Sequence, residues 1–480
     1  MIAMSEISAL SPRLVWEIFD LVCSIPHPSG HEKALAEALK NFASQHGLSW
    51  RQDAAGNLRI DRPAAPGFEE RPGIIFQAHL DMVPEAEDPD FDFTVTPVSP
   101  YIDGDAVRAR GTTLGGDDAS GIALAMALLT EPELKCGPLG ALFTVGEEVG
   151  LLGAAALAPE MLKGKYLINL DCGPVGDATI GCAGGARQEF LFPVEAQPVS
   201  GGCPLKITLS KLAGGHSGEC IDGNRGNAVK SLAAFLLEHP ELQLSSINGG
   251  NADNAIPCEC SAVVVSADAT CVEQLKRSAA IFELLLRREL ARNEISLTVE
   301  AGEPMPETVF TALFRDRVLQ ALSFAPNGVF ENDDELKIVK TSSNLAAVCT
   351  GNATLLVRSS QRSLDDRCRE NASAMLAEHF SSFGAAAKVS NPYPGWTPRP
   401  DCDLVKCCAG VWKQLSGTEL VLRAIHAGLE CGLIGEKNPE LELISLGPGA
   451  PGCHTVREYV SIAAMETMYR FLKDLSVELK

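Results

Sequence analysis

The acidic and histidine residues of this chain gather where apolar runs give way to polar ones. His79 and Asp81 follow GIIFQA, Glu147 and Glu148 follow GALFTV, Asp171 follows YLINL, and His454 lies in the glycine- and proline-rich segment after LELISL. Imidazole and carboxylate ligands hold a borderline divalent cation while leaving a position open to water, and a carboxylate can serve as a general base. A single His-x-Asp is more often a hydrogen-bonded loop residue than a ligand, and an adjacent Glu-Glu pair is ordinarily surface charge. Their coincidence at the ends of four runs is what points to a shared site. The segment TTLGGDDASG adds Asp117 and Asp118 just ahead of the apolar SGIALAMALL. Both could cap the helix that follows; Asp117 reads as the functional one, while for Asp118 the cap is an equal alternative.

The elements that must position these residues are legible in outline. Residues 73–78, 140–145, 166–170 and 441–446 are short, apolar and rich in β-formers, as buried parallel strands are. In open α/β sheets ligands bind beyond the carboxyl ends of the strands, so such a sheet would deliver the acids and histidines to one edge. Ser29, with Glu32 three residues later, predicts a capping box for a helix through Gln45, closed by Gly47.

The texture changes near residue 188. Strand (LKITLS), helix (NAVKSLAAFLLEH), strand (CECSAVVVS), helix (CVEQLKRSAAIFELLLRRE) and strand (EISLTVEAG) follow, and a comparable order recurs from Glu335 to Val389. The expected fold class is α/β: a catalytic domain with a mostly parallel central sheet, formed by residues 1–187 and 393–480, plus an inserted α+β domain of two modules over 188–392. The segment NPYPGWTPRP marks the return to the first domain.

Bulk composition narrows the function. At 480 residues the chain exceeds what one hydrophobic core supports, and 46% hydrophobic with 21% charged residues is ordinary for a globular protein. A formal charge of -22 argues against nucleic acid or an anionic membrane as partner. The start MIAMSEISAL lacks a basic segment followed by an apolar one, and the longest apolar stretch, 122–129, is too short to cross a bilayer, so a cytoplasmic location is expected. The sixteen cysteines are scattered and are expected to be reduced thiols. Neither Cys258 with Cys260 nor the adjacent Cys407 and Cys408 has the C-x-x-C spacing of a structural zinc site.

With these residues in view, the chain resembles the M20 metallopeptidases and, among them, the aminoacyl-histidine (Xaa-His) dipeptidase branch. The resemblance rests on AHLDMVP, GTTLGGDDASGIALA, FTVGEEVGLLGA, INLDCG, GGHSG, NAIP, VRSS, IHAGLECG and LGPGAPGCHT, in family order along nearly the whole chain. It implies a zinc-peptidase-like catalytic domain and a ferredoxin-like lid. It also implies two Zn²⁺, replaceable by Co²⁺ or Mn²⁺: one on His79 and Asp171, the other on Glu148 and His454, with Asp117 bridging. Glu147 would be the general base and Asp81 would orient His79. From the lid, His216 would stabilise the oxyanion, and Asn254 and Arg358 would grip the substrate, Arg358 binding its carboxylate. His426 and Glu430, one helical turn apart if HAGLECG is helical, would contact the substrate; a packed loop is the alternative. For Arg358 the alternative is an exposed salt bridge. Asp118 stands where the dipeptidase branch often has another polar residue, which bears on the branch and not on the metal centre.

The implied activity is hydrolysis of unblocked dipeptides, with Xaa-His dipeptides one class. N-acyl amino acids or tripeptides are an alternative substrate, and a non-catalytic peptide-binding protein is the alternative from another class. The expected partner is a small peptide; a homodimer is compatible, and His216 could act within its own chain or toward a second subunit.

Overall fold

The computed structural model describes residues 5–334 and 336–480, which fall into two compact units. The first comprises residues 1–182, 396–424 and 429–480; the second comprises 183–395 and 425–428.

The four apolar runs do form strands, Ile74–His79, Leu139–Thr144, Tyr166–Asn169 and Glu442–Ser445, and they are neighbours in one sheet. Ile74–His79 lies between Leu139–Thr144 and Tyr166–Asn169, pairing parallel with both, and Glu442–Ser445 continues parallel on Tyr166–Asn169. Because parallel strands end on the same side, the residues after each one emerge at a common edge. Leu58–Arg62 and Ser49–Gln52 extend the sheet antiparallel beyond Leu139–Thr144, and Asp177–Cys182 and Val421–Ile425 complete its eight strands.

Strands Ile74–His79 and Leu139–Thr144 are buried at every position, which explains their mostly apolar sequence. The helix Gly116–Thr130 carries the 122–129 stretch and is buried almost throughout; its apolar circumference fits a core helix. Trp16, Phe19, Phe76, Phe143, Tyr166 and Phe471 join it in one hydrophobic core. Truncating one of these buried phenylalanines to alanine would cost about 3–5 kcal/mol. Among the described residues, no helix is long and apolar enough to cross a membrane.

The second unit is built on a nine-stranded antiparallel sheet. Its halves share a β-α-β-β-α-β plan and the spatial order fourth, first, third, second. One half is Cys203–Ser210, Ala228–Leu237, Gln243–Gly249, Cys260–Ser266, Ala269–Glu289 and Ser296–Ala301. The other is Gly184–Pro193, Ala312–Ser323, Ile338–Thr350, Thr354–Ser363, Asp366–Ser382 and Ala386–Tyr393. The halves meet where Gly249 pairs with Val348, and Gly328–Asp333 pairs along the edge of Ile338–Thr350.

This corrects the expected second module. Its first strand, Gly184–Pro193, precedes the whole first module, and its first helix is Ala312–Ser323, so one module is nested inside the other. A local sequence pattern cannot show which distant strand completes a sheet, and Gln243–Gly249, with its polar QLSSING, escaped notice for lack of alternation. Glu335, where the repeat was expected to start, lies outside the described residues. Gly184–Pro193 also runs through the expected boundary at 187/188.

Candidate metal centre

His79 is the last residue of its strand, and its Nε2 lies 2.9 Å from Asp117 Oδ1 and 3.7 Å from Asp171 Oδ1. His454 Nε2 lies 2.8 Å from Glu148 Oε1 and 3.4 Å from Asp117 Oδ2. The two oxygens of Asp117 thus face two different histidines. His79, Asp117 and Glu148 offer ligand atoms within 4.8 Å of one another, as do His79, Asp118 and Asp171. Cys453, which the sequence did not suggest, places its sulfur within the same range of Asp117 and His454.

The electrostatics of this group call for a cation. Burial raises the Asp171 carboxyl, and the charge of Asp117 helps to bring it to about 8. Burial, with the like charges of Asp171, Glu430 and Glu148, holds Glu147 well above the ordinary carboxylate value against the pull of His79. Asp117 goes the other way: burial would raise it, but hydrogen bonds to His454 and His79 outweigh that and hold it below the usual range. Burial would lower the His79 imidazole, yet the charge of Asp171 and hydrogen bonds to Asp117, Asp171 and Asp81 carry it well above its usual value. Hydrogen bonds to Asp117 and Glu148 raise His454 to about 10. Carboxylates crowded together at the expense of their own ionisation, with two imidazoles turned toward them, are the donor set that one or more divalent cations relieve. The residues therefore fit a metal.

Asp81 organises the base of the site. His79 Nδ1 lies 2.9 Å from the Asp81 carbonyl and 3.6 Å from its Oδ1. The same carboxylate accepts the Glu147 N–H at 3.0 Å and the Glu148 N–H at 3.2 Å, fixing the turn that carries both glutamates. Ser29 Oγ donates to Asp81 Oδ2 at 2.8 Å. Here the expected capping box fails: the helix starts at Lys33, and Glu32 accepts from Gly30 N at 3.0 Å and Gly146 N at 3.1 Å without capping it. Ser29 and Glu32 serve the strand-end loops instead, because tertiary donors there are buried and must be satisfied. Replacing Asp81 by Asn sets an amide N–H₂ against backbone donors. Metal affinity should fall by about 10–100-fold with secondary structure retained, as chelator competition and circular dichroism would report.

Asp118 behaves as a cap. Its oxygens accept Gly121 N–H at 2.9 Å, three residues on, and His79 N–H at 3.3 Å. His454 holds a left-handed backbone, φ +60°, a conformation that costs a non-glycine residue about 1 kcal/mol or more and is retained mostly where function requires it.

The remaining expected residues divide between the units. Glu430 opens the helix Glu430–Lys437 in the first unit, fully buried, where it accepts from Gln77 Nε2 at 2.6 Å and Thr144 Oγ1 at 2.8 Å; burial lifts its carboxyl to about 7. His426 precedes that helix and belongs to the second unit, with Nε2 2.7 Å from Ser342 Oγ and an imidazole that burial lowers to about 4. HAGLECG is therefore helical only from Glu430 onward, so His426 and Glu430 do not share a helical turn and His426 takes the packed-loop alternative.

In the second unit, His216 Nδ1 accepts from Gly218 N and Glu219 N, each at 3.3 Å, which assigns the ring proton to Nε2 and leaves it free to donate. Arg358 Nη1 lies 3.0 Å from Asp253 Oδ1, the salt-bridge alternative. Asn254 lines a small cavity with Arg187, Gln361, Arg362 and Tyr393. Arg362, four residues beyond Arg358 on the same strand, was missed by the sequence reading. It is 8% exposed, donates to Tyr393 OH at 3.0 Å, and leaves its Nε without a partner. The repeated Arg of VRSSQRS was the available signal.

Residues 75–478 match the peptidase family M20/M25/M40. The chain is 38% identical to the cytosol non-specific dipeptidase of Escherichia coli, over 99% of each chain. A crystal structure of aminoacylhistidine dipeptidase from Vibrio alginolyticus is similar with a TM-score of 0.89 and 37% identity, covering 99% of this chain and 98% of that one. An aminopeptidase structure from Bacillus cereus, at 17% identity and a TM-score of 0.58, shares the fold, covering 98% of this chain and 99% of its own.

Proposed function

Because this chain belongs to peptidase family M20/M25/M40, we propose that it is a metal-dependent dipeptidase that hydrolyses unblocked dipeptides, Xaa-His dipeptides among them. The observation that carries this reading is Asp117 standing between His79 and His454, with Asp171 and Glu148 beside them, in a chain similar over its whole length to two dipeptidases. His79 and Asp171 would hold one Zn²⁺, Glu148 and His454 the other, and Asp117 both; Co²⁺ or Mn²⁺ suits the same ligands. When bound, such a pair polarises the scissile carbonyl and lowers the pKa of water.

The chain's own residues do the rest. Glu147, next to a ligand but turned to no histidine, takes a proton from the attacking water and returns it to the departing amine. Its backbone is held by Asp81, so the carboxylate is placed before substrate arrives. His216, neutral and with Nε2–H free, is suited to donate to the oxygen that becomes an oxyanion. Asn254 and Arg362 are suited to a peptide's terminal carboxylate, since Arg362 keeps an unpartnered N–H whereas Arg358 would first have to leave Asp253. Glu430 supports the strand carrying His79 through Gln77, and His426 packs against Ser342. A location in the cytosol is proposed from the Escherichia coli relative, and a homodimer is compatible with the reading.

The test is kcat/KM across dipeptides, N-acyl amino acids and tripeptides. Dipeptides with a free amino terminus should be preferred by at least about tenfold, roughly 1.4 kcal/mol of transition-state binding. Preference for the acylated compounds or the tripeptides would reject the dipeptidase assignment.

A further inference from the structure

Glu458 is a buried carboxylate that the reaction described above does not use. Its Oε2 accepts the N–H of Leu114 at 2.8 Å and of Gly115 at 2.9 Å, and its Oε1 accepts that of Asp117 at 3.1 Å. Leu114 and Gly115 lead into the helix Gly116–Thr130, and Asp117 sits at its start with a non-helical backbone, so these three N–H groups have no carbonyl partner within the helix. Gly115 has no side chain to satisfy them, and the Asp118 carboxylate is engaged with the N–H groups of Gly121 and His79. A carboxylate from more than three hundred positions along the chain does so instead.

The same residue lies four positions beyond His454. Between them the chain is tied back on itself, with Glu458 N donating to the Thr455 carbonyl and Tyr459 N to the Pro451 carbonyl, each at 3.1 Å. The two segments are also pressed together: a Cβ on Gly116 would lie 2.4 Å from Val460 Cγ2 and 3.2 Å from Glu458 Oε1. One side chain therefore ties the main chain of Asp117 to the turn bearing His454, and the separation it sets is that of Asp117 Oδ2 from His454 Nε2, 3.4 Å.

We propose that Glu458 is a positioning residue that holds Asp117 and His454 at the spacing needed to share one cation. The inference rests on the metal-site reading above. Glu458 touches neither substrate nor the ligand atoms; it acts through the backbone of Asp117. It should matter more to the cation shared by Glu148, His454 and Asp117 than to the one on His79 and Asp171, because His79 and its supports lie on the other side of the Asp117 carboxylate.

The experiment compares the full-length wild type with Glu458→Gln, which keeps the volume but turns an N–H₂ group toward backbone donors. Zn²⁺ affinity is measured by chelator competition, kcat and KM on a dipeptide, and the melting temperature of the metal-free proteins. Wild type should take up two Zn²⁺; in E458Q one should weaken by about 10–100-fold while the other holds. The value of kcat should fall with KM within about twofold, as expected when groups touching substrate are unchanged. Should E458Q fail to fold, Gly116→Ala decides, since it pushes the same loop off Val460 and Glu458 while leaving every carboxylate in the sequence; it should show the same selective weakening. Two Zn²⁺ bound at wild-type affinity in the variant would overturn the proposal alone. So would equal weakening of both ions with a collapsed melting temperature, which is a purely structural effect. A wild type that binds no divalent cation would overturn the metal-site reading itself, and this inference with it.

Discussion

Replacing Glu147 by Gln is expected to lower kcat by about 10²–10⁴-fold while both metal ions stay bound. The expectation follows from a division within the Glu147–Glu148 pair. Glu148 faces His454 at 2.8 Å, whereas Glu147 makes no ion pair with either histidine and is surrounded by like charge. Its burial and the nearby carboxylates outweigh the pull of His79 and oppose ionisation, so it holds a proton well in a site without cations. A bound divalent pair would reverse that balance by favouring the carboxylate, as a base operating near neutral pH requires. Glutamine preserves the shape and the Asp81 hydrogen bond to the Glu147 backbone, so loss of turnover would report the proton transfer and not the fold. Metal content by elemental analysis together with steady-state kinetics is the measurement. Turnover close to wild type in a variant that retains its metal would show that another group is the base.

The second large effect is expected at Asp117. Asp117→Asn removes the negative charge that, among the described residues, pairs with both His79 and His454. Under the proposed assignment, a pair of cations would lose the ligand they share and the charge that offsets their mutual repulsion. The loss of metal affinity should therefore exceed the roughly 10–100-fold typical of supporting residues, and activity should vanish with it. Isothermal titration with Zn²⁺ would give the stoichiometry directly. Asp118→Asn is the internal comparison: as a helix cap that accepts from Gly121 and His79, it should cost about 1 kcal/mol of stability with metal binding largely retained. If the two variants behaved alike, the separation of ligand from cap at these adjacent aspartates would be wrong.

Some of this was open to inspection in the residues alone. The four parallel strands were visible because they are buried on both faces, and a strand with no solvent side is predominantly apolar. The acids and histidines just beyond them stood out because ionisable side chains rarely follow such runs, although His79 and Asp81 are themselves buried. The Ser29 and Glu32 reading failed because S-x-x-E describes what two side chains can do locally, and nothing local reveals that Asp81 and Gly146 offer buried partners that compete for them. Arg358 and Arg362 could not be told apart in VRSSQRS, since their different fates depend on Asp253 and Tyr393.

What the sequence determined by itself is therefore the chemistry: which residue types end which strands, and that imidazole and carboxylate groups outnumber what ordinary loops would carry there. The tertiary structure decided the spacing. It set the order in which the strands lie side by side, placed Asp117 between two histidines, nested one module of the second unit inside the other, and brought Glu458 to the backbone N–H groups of Leu114, Gly115 and Asp117. The physical reason is common to all of these. Burial and periodicity act on neighbouring residues and leave their record in the local sequence, whereas hydrogen bonds and ion pairs join groups hundreds of residues apart and leave a record only in the fold.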